Sequence, residues 1–556
     1  MTNKDDQKYI AGLLFGDATL TPEECEEKYP PRGVGEGVAI TRLGPSPTGF
    51  IHLGNLYMAF LNAKLSAQTD GVLILRIEDT DRKREVAGAV EVLISSLAYF
   101  GVQFNEGVMY DAQADVISER GSYGPYYQSA RGEIYKAFVK RLVEEGKAYP
   151  CFLSEAELTE MRSLQEQQKV TPGVYGAWAR YRNATAGEVE ALLAEKRPYV
   201  IRFRADEEDG TYVEAADGIR GTLRMPKNYM DVVILKSDGL PTYHFAHVVD
   251  DHLMRTTHVI RGEEWIASLP VHVALFGALG WDVPLYCHST VLMKIDEESG
   301  NKRKLSKRKD PELSLEYYRS TGYHPQAISE YLLTIINSNF EEWRAENPDA
   351  PISAFQMSTE KMGISGILFD LEKLQDVSKE VLLRIPAGEL AAFLLHWARL
   401  YDEDAYRAMS RDEEKLARIL DIGRSGDKPR KDLAYAKQMR DFIAYFYDEL
   451  FEKQDDWPGN AAADAGVLLA GYLETLDLAD DRDTWFDKIR QLAVANGYAA
   501  KPKDYKKNPE EYKGHVGDVS SVIRIALTGR ASSPDLYEIQ QILGEEAVRA
   551  RLAAHI

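Results

Sequence analysis

Cysteine is scarce in this sequence. Only three cysteines occur among 556 residues, Cys25, Cys151 and Cys287, and they lie far apart. This spacing argues against a disulfide framework and against a zinc site built from neighbouring cysteines. We therefore expect neither a disulfide-stabilised domain nor a structural zinc ion.

Long apolar runs are also missing. No stretch approaches the ~20 apolar residues that a membrane-spanning helix needs. The first residues, "MTNKDDQKYIAGLLF", carry acids where a secretory signal peptide has net positive charge, and their apolar run is too short. These observations disfavour membrane and secreted proteins, and we expect a cytoplasmic protein.

Positive charge is in deficit, with 67 basic against 88 acidic residues and a net charge of −21. This balance disfavours a non-specific nucleic-acid binder but leaves room for a local basic face. Three basic clusters stand out, at residues 302–309, 423–431 and 501–507. The first predicts a functional loop, whereas a solvated loop is an equal alternative for the other two.

The length predicts several domains, since a domain averages roughly 150 residues. Strand and helix patterns alternate in two segments, which predicts an α/β fold with a doubly wound, Rossmann-type parallel sheet. We divide the chain into an N-terminal extension with a helix and an acidic loop (1–36), the first half of the α/β domain (37–126), an inserted domain (127–228), the second half of the α/β domain (229–295), a following region that contains the first basic cluster (296–380) and an all-helical domain (381–556).

The stretch "RLGPSPTGFIHLGN", Arg42 to Asn55, lies between a strand pattern and a helix pattern. Its prolines restrict the backbone, and its glycines allow a ligand to approach closely. The N-terminus of a helix offers unpaired N–H groups that suit a phosphate. The stretch therefore predicts a phosphate site at the end of a strand.

Two motifs in this order carry a resemblance. "PSPTGFIHLGN" resembles the first signature of class I aminoacyl-tRNA synthetases, with Asn55 in place of its second histidine, and "KLSKR", Lys304 to Arg308, resembles the second. The similarity extends to residues 76–82, 241–252, 259–265 and 517–537, and it is to the glutamate–tRNA ligases. It implies that 37–126 and 229–295 are the halves of a catalytic domain, 127–228 an inserted acceptor-end-binding domain, 296–380 a signature-loop and stem-contact region and 381–556 an anticodon-binding domain. That family often carries zinc after the position of Cys151, which here stands alone.

The resemblance implies an ATP site. Activation builds negative charge on phosphate oxygens, so fixed donors and cations are the useful catalysts. His52, Lys304 and Lys307 are the predicted catalytic residues, and ATP enters with Mg²⁺. The predicted ATP-binding residues are His52, Gly54, Asn55, Glu264, Lys304 and Lys307. The alternatives are a helix-capping or core role for His52 and a solvated loop for the lysines.

The resemblance also implies an amino-acid pocket. Glu78 is the candidate for the α-ammonium group, and Arg42 and Arg261 are candidates for two carboxylates, which guanidinium binds in a fork. His247 occupies a position where glutamine-type enzymes can carry histidine. The predicted pocket consists of Arg42, Ser46, Glu78, Tyr243, His247 and Arg261.

The implied reaction is ATP-dependent ligation of L-glutamate to the 3′ end of tRNA through a glutamyl-adenylate, with release of AMP and pyrophosphate. tRNA(Glu) is the expected partner of a monomeric enzyme, and charging of tRNA(Gln) stays open. The alternatives are a glutamine–tRNA ligase, a truncated paralogue that modifies a tRNA base, and a tRNA-binding protein without catalysis. The helical C-terminal segment favours the glutamate type, because glutamine-type enzymes end in β-barrels.

Overall fold

A computed structural model describes residues 4–49, 51–81, 85–207, 210–425 and 428–556. Phe50 of the first signature, Arg82 of the segment 76–82 and the pair 426–427 of the second basic cluster lie outside the described residues. The chain forms two compact units, one of Met1–Leu315 with Leu332–Phe369 and one of Glu316–Tyr331 with Asp370–Ile556. Among the described residues, no helix combines the length and apolar character needed to cross a lipid bilayer.

All named strands precede residue 370. They are β1 (Ile40–Leu43), β2 (Val72–Leu75), β3 (Glu106–Asp111), β4 (Val116–Arg120), β5 (Ala148–Cys151), β6 (Val200–Phe203), β7 (Tyr212–Asp217), β8 (Gly221–Pro226), β9 (Val233–Leu235), β10 (His258–Gly262), β11 (Leu285–Ser289), β12 (Leu292–Ile295), β13 (Lys302–Lys304) and β14 (Ile367–Leu368).

Helices occur along the whole chain. They are α1 (Lys4–Phe15), α2 (Pro22–Lys28), α3 (Leu53–Gln68), α4 (Ala89–Tyr99), α5 (Gly132–Glu144), α6 (Glu155–Gln167), α7 (Ala186–Ala194), α8 (Tyr243–Leu253), α9 (Leu269–Leu279), α10 (Leu315–Thr321), α11 (Pro325–Ile336), α12 (Phe340–Glu346), α13 (Leu371–Arg384), α14 (Ala387–Tyr401), α15 (Glu403–Met409), α16 (Glu413–Asp421), α17 (Ala436–Ile443), α18 (Ala465–Thr475), α19 (Arg482–Ala495), α20 (Pro502–Lys507), α21 (Val516–Thr528), α22 (Leu536–Leu543) and α23 (Glu545–Ala553).

The predicted parallel sheet is confirmed in the first unit. β1 pairs in parallel with β2, and β2 with β3; β10 pairs in parallel with β11. The backbone N–H of Thr257, just before β10, donates to the carbonyl of Ile40 in β1 at 3.0 Å. β1 and β10 are thus neighbours whose following chains leave in opposite directions, the arrangement that opens a ligand crevice at the carboxyl ends of the strands.

The N-terminal segment differs from the prediction in one element. The stretch "TPEECEEKYPPR", expected as an acidic loop, contains helix α2. Thr21 and Glu24 form a reciprocal capping box, and Pro22 opens the first turn, where its missing N–H costs nothing. The spacing of threonine and glutamate was the available signal for this helix.

The region predicted as an insertion contributes to two sheets. β5, β6 and β9 form a three-stranded antiparallel sheet. The hairpin β7–β8 instead joins β11, with Asp217 opposite Tyr286 in parallel register. The division placed at residues 228 and 229 therefore does not coincide with a division between sheets, because strand partners distant in sequence leave no local pattern.

The second unit is helical, as predicted. Its helices bury apolar stripes in one core that includes Leu468, Ile489, Val519 and Leu552, each fully buried. In α16 and α17 the apolar residues fall on one side, which is the pattern of helices packed against a core.

Candidate active site

The first signature places His52 at the N-terminus of α3. His52 Nδ1 accepts the N–H of Asn55 at 3.3 Å, and Asn55 Oδ1 accepts the N–H of His52 at 3.0 Å. Asn55, which occupies the position of the second histidine in the family signature, therefore forms a capping box with His52. Burial lowers the pKa of His52, so the ring is neutral and carries its hydrogen on Nε2. Capping uses Nδ1 and a phosphate would use Nε2–H, so the two roles predicted for His52 are compatible.

Gly54 is required by the geometry of this turn. A Cβ at Gly54 would lie 2.9 Å from His52 Nδ1, so any side chain there would displace the ring. Ser46 is exposed on the same turn, where its carbonyl accepts the N–H of Thr48 at 2.8 Å. A cavity of about 160 Å³ lies beside the turn and is lined by residues that include Ser46, His52 and Asn55.

The second signature follows the hairpin of β12 and β13. Lys304 ends β13, Lys307 lies in the next turn, and both are exposed. Asp310 organises this loop: it accepts two hydrogen bonds from Arg303 at 2.6 and 2.8 Å and one from the N–H of Ser306 at 2.7 Å. Arg303 is the main reason why the pKa of Asp310 falls to about 2.

The two signatures meet. We call residues 304–310 the lysine loop. His52 and Ser314 form an antiparallel β-bridge, so the chain that leaves this loop runs beside the start of α3. Glu264 lies in the 3₁₀ helix Glu263–Ser268 that follows β10. Its carboxylate folds over Gly262, where a Cβ would lie 2.2 Å from Oε2. All predicted ATP-binding residues therefore occur at the ends of β1 and β10 or on the lysine loop.

Glu78 and Arg42 belong to a buried ion network. Arg76 donates to Glu78 at 3.0 Å and to Asp251 at 2.6 Å, and Arg42 Nε lies 3.1 Å from Asp251 Oδ2. Burial alone would raise the pKa of Asp251, but Arg42 and Arg76 hold it well below its usual value. Neither Arg76 nor Asp251 was predicted from the sequence as a site residue, yet their contacts hold Glu78 and Arg42 in place.

The close approach of Glu78 explains Gly44. A Cβ at Gly44 would lie 2.3 Å from Glu78 Oε1, so only glycine allows the carboxylate to lie against the turn. Burial is the main cause that raises the pKa of Glu78, against the influence of Arg76 and Arg42.

Tyr243 connects the remaining pocket residues. Arg261 Nη1 donates to its hydroxyl at 3.4 Å, and its ring stacks on His247 with centroids 5.6 Å apart. The pKa of Tyr243 is raised by burial and by Glu78, and lowered by Arg261 and Arg42. Arg261 thus contacts Tyr243 directly, whereas Arg42 and Glu78 are connected to His247, on which Tyr243 stacks, through Asp251 and Arg76.

His247 is a buried, neutral wall of the pocket. Its Nδ1 lies 2.7 Å from Asp251 Oδ2, and its Nε2 lies 2.8 Å from the Tyr286 hydroxyl. Burial lowers its pKa to about 3. Nδ1 therefore carries the hydrogen and Nε2 accepts from Tyr286. Histidine and aspartate four residues apart on α8 were the signal for this contact.

The structure describes no protein cage for a metal. Within the described residues, no group of three or more histidine, cysteine, aspartate or glutamate side chains is placed to hold an ion. Cys25, Cys151 and Cys287 are buried thiols. The absence of a structural zinc ion stays a prediction.

Comparisons with known proteins agree with this geometry. Residues 39–375 match the family described as "tRNA synthetases class I (E and Q), catalytic domain", and residues 503–556 match an anticodon binding domain. The chain is 55% identical to a glutamate–tRNA ligase of Acetivibrio thermocellus over 98% of its own length and 99% of that protein's. It is 47% identical to one from Clostridium perfringens, with the same coverage.

A solved structure gives the same result. A glutamate–tRNA ligase from Elizabethkingia meningosepticum, solved in complex with its amino acid, matches with a TM-score of 0.72 at 26% identity. The match covers 93% of this chain and 99% of that one. The resemblance is thus present in sequence and in fold.

A doubly wound sheet with both signature segments at adjoining strand ends defines a class I aminoacyl-tRNA synthetase. Curated relatives decide between its glutamate and glutamine types, because those that match nearly the full chain at 46–55% identity include glutamate–tRNA ligases of three genera. The chain belongs to the glutamate–tRNA ligase family. The helical unit and its anticodon-domain match exclude the truncated paralogue.

Proposed function

We propose that the pocket around Tyr243 binds L-glutamate, with Glu78 on the α-ammonium group and Arg42 and Arg261 on the two carboxylates. One observation carries this assignment: a continuous set of contacts joins the three charged groups. It runs from Arg261 to Tyr243, from Tyr243 to His247, and from His247 through Asp251 to Arg42 and to the pair of Arg76 and Glu78. Arg42 Nε donates to the carboxylate of Asp251. The two terminal nitrogens of Arg42 are the donors that a substrate carboxylate would bind in a fork. Ser46 and His247 complete the pocket.

ATP, delivered as its magnesium complex, is proposed to lie between the first signature and the lysine loop. His52 Nε2–H donates to the α-phosphate, and Lys304 and Lys307 bind the outer phosphates. Gly54, Asn55 and Glu264 shape the nucleotide site. The glutamate carboxylate attacks the α-phosphate, pyrophosphate leaves, and the adenylate transfers its glutamyl group to the 3′ end of tRNA(Glu). No covalent enzyme intermediate is required.

The test is pyrophosphate exchange with L-glutamate and with L-glutamine, each with and without tRNA. Glutamine would leave a buried guanidinium without its ionic partner, which costs on the order of 2–5 kcal/mol, or about 30-fold to several-thousand-fold in affinity. We expect exchange with glutamate only, and only when tRNA is present. Exchange with glutamine above glutamate would contradict the pocket assignment, and exchange without tRNA would contradict the tRNA requirement alone.

Charging assays with purified tRNA(Glu) and tRNA(Gln) test whether the second tRNA is also a substrate. Ribosomal protein synthesis consumes charged tRNA in the cytoplasm, so we place the enzyme there. We propose that it acts as a monomer, because the residues assigned to both substrates all come from one chain. Sedimentation at assay concentration tests this last point.

We further propose that a cavity of about 480 Å³ in the second unit receives an anticodon base. Arg430, from the second basic cluster, stacks 3.9 Å above the Phe442 ring centre, and Arg530 lies 5.8 Å from that of Tyr445. The rings are buried, so the guanidinium planes that lie beside them are the surfaces on which a base can stack, and Ser532 and Ser533 offer hydroxyls in the same lining.

Replacing Arg530 with alanine tests this location. We expect tRNA binding to weaken by about 1–3 kcal/mol, as for the loss of one base contact, and the KM for glutamate to stay unchanged. Arg411→Ala, at an exposed arginine paired with Glu449, is the matched control. Equal tRNA affinity in the two variants would refute the proposed location.

A further inference from the structure

Three buried side chains behind Arg261 have no part in the proposed mechanism. Asp217 ends β7, His288 lies in β11, and His272 lies in α9; all three are at most 4% exposed. Arg261 of β10 and His288 are register partners on neighbouring parallel strands. The sheet therefore sets β10, β11 and β7 side by side and places Arg261, His288 and Asp217 in a row, while His272 approaches Arg261 from α9.

The row is a chain of hydrogen bonds with a defined direction. Arg261 Nε donates to His288 Nε2 at 2.9 Å, and His288 Nδ1 lies 2.6 Å from Asp217 Oδ2. A guanidinium has only donors, so His288 Nε2 must accept and its hydrogen must lie on Nδ1. Burial lowers the pKa of His288, which keeps this acceptor available.

His272 holds a second edge of Arg261 in the same way. Its Nδ1 lies 3.2 Å from Arg261 Nη1, and its Nε2 lies 3.0 Å from His244 Nδ1. By the same argument its hydrogen lies on Nε2. Burial, together with neighbouring His247 and Arg261, holds its pKa well below the usual value. Two neutral imidazoles therefore accept from one guanidinium.

Arg261 differs from Arg42 in the groups that it contacts. Arg42 pairs directly with the carboxylate of Asp251. Among the ion pairs of the described residues, none involves Arg261, although it is only 6% exposed. An imidazole stands between Arg261 and Asp217. A buried cation without a directly paired anion is costly, and a carboxylate ligand would remove that cost.

We infer that Asp217 and His288 are positioning residues for substrate binding. Asp217 fixes the tautomer of His288, and His288 fixes the guanidinium of Arg261 without neutralising its charge, so that the charge is reserved for a substrate carboxylate. The inference rests on the proposed role of Arg261 in glutamate binding.

The test compares His288→Leu, which removes the acceptor, with His288→Gln, whose amide oxygen can replace it. In tRNA-dependent pyrophosphate exchange we expect His288→Leu to raise the KM for glutamate about ten- to one-hundred-fold. The KM for ATP should stay within about twofold. His288→Gln should recover much of the loss, and Asp217→Asn should resemble His288→Leu.

His258→Gln is the matched control, because His258 lies on β10, the strand of Arg261, and its Nδ1 lies 2.8 Å from Thr257 Oγ1 instead. Equal rises in the KM for glutamate and for ATP, or no rise in either histidine variant, would overturn the inference. Should His288→Leu not fold, the glutamine variant and Asp217→Asn still decide the matter.

Arg261→Gln distinguishes the role of Arg261 in glutamate binding from the positioning role of His288 and Asp217. If it raises the KM for glutamate while His288→Leu does not, the positioning role is refuted and the proposed pocket stands. If Arg261→Gln itself leaves that KM unchanged, the pocket assignment fails and the positioning role fails with it.

Discussion

At the scale of single residues, the chemistry depends on which nitrogen carries a hydrogen. His52, His247, His272 and His288 each have at least one ring nitrogen in contact with an identified partner, and burial is the largest cause of the lowered pKa of each. Their neutral state lets them accept from an N–H or O–H on one side and donate on the other. The sequence could locate some of these residues but could not assign their hydrogens.

His52→Ala should reduce adenylate formation about 10²–10³-fold, since the variant loses a donor to the phosphate that becomes more negative. The same change removes a helix cap, at a cost of about 1 kcal/mol of stability. His52→Asn separates these effects, because asparagine caps helices well but has no imidazole. Exchange rates and thermal unfolding of both variants are the measurements. Full activity in His52→Asn would mean that His52 serves only as a cap.

At the scale of elements, contacts with acidic side chains order the highly basic lysine loop. "KRKLSKRK" consists mostly of cations that repel one another, yet Arg303 and the N–H of Ser306 converge on Asp310. Lys294 also contacts Glu312 just beyond the loop. The acids that follow the cluster thereby fold it back, so that Lys304 and Lys307 are presented on a defined turn.

Asp310→Asn should loosen this loop. We expect the KM for ATP to rise about tenfold and the KM for glutamate to stay unchanged, because the amide cannot hold Arg303 as an ion pair. Steady-state exchange at varied ATP gives the answer. Asp376→Asn, at an exposed acid paired with Lys379, controls for the loss of one charge. A parallel rise in both KM values would indicate general unfolding instead.

Elements also show how far the sequence alone could lead. β1, the turn after it and α3 were predictable because a β-branched run, prolines and glycines, and helical spacing follow one another within a short segment. The pairing of β7 with β11 was not, since it joins residues distant in sequence. The candidate pocket divides in the same way: Arg42, Glu78 and Arg261 come from motifs, whereas Asp217, His288 and Asp251 matter only through contacts across the fold.

At the scale of the whole molecule, the burial of histidine side chains affects how many protons the chain binds when it unfolds. Burial is the largest cause of a lowered pKa in nine of the eleven histidines: His52, His244, His247, His252, His258, His272, His288, His324 and His555. Each of these has a folded pKa below the unfolded value of about 6.5. Below that pH these histidines bind protons in the unfolded chain but stay neutral in the folded chain until the pH reaches their lowered pKa.

Stability should therefore fall as the pH drops below about 6.5. Each histidine that stays neutral in the fold contributes up to about 1.4 kcal/mol per pH unit to this loss, and His247, with a pKa of about 3, stays neutral throughout. The raised pKa values of Glu78 and Asp231 act in the opposite sense, but they are only two groups.

We expect the midpoint of thermal unfolding to fall by about 5 °C or more between pH 7.5 and pH 5.5. His324→Gln should flatten the dependence, because burial lowers the pKa of His324 to about 4 and glutamine does not titrate. The matched control is His396→Gln, on exposed surface of α14, which should leave the slope as it is. A midpoint that is constant or rises on acidification would show that the histidines do not govern proton uptake on unfolding.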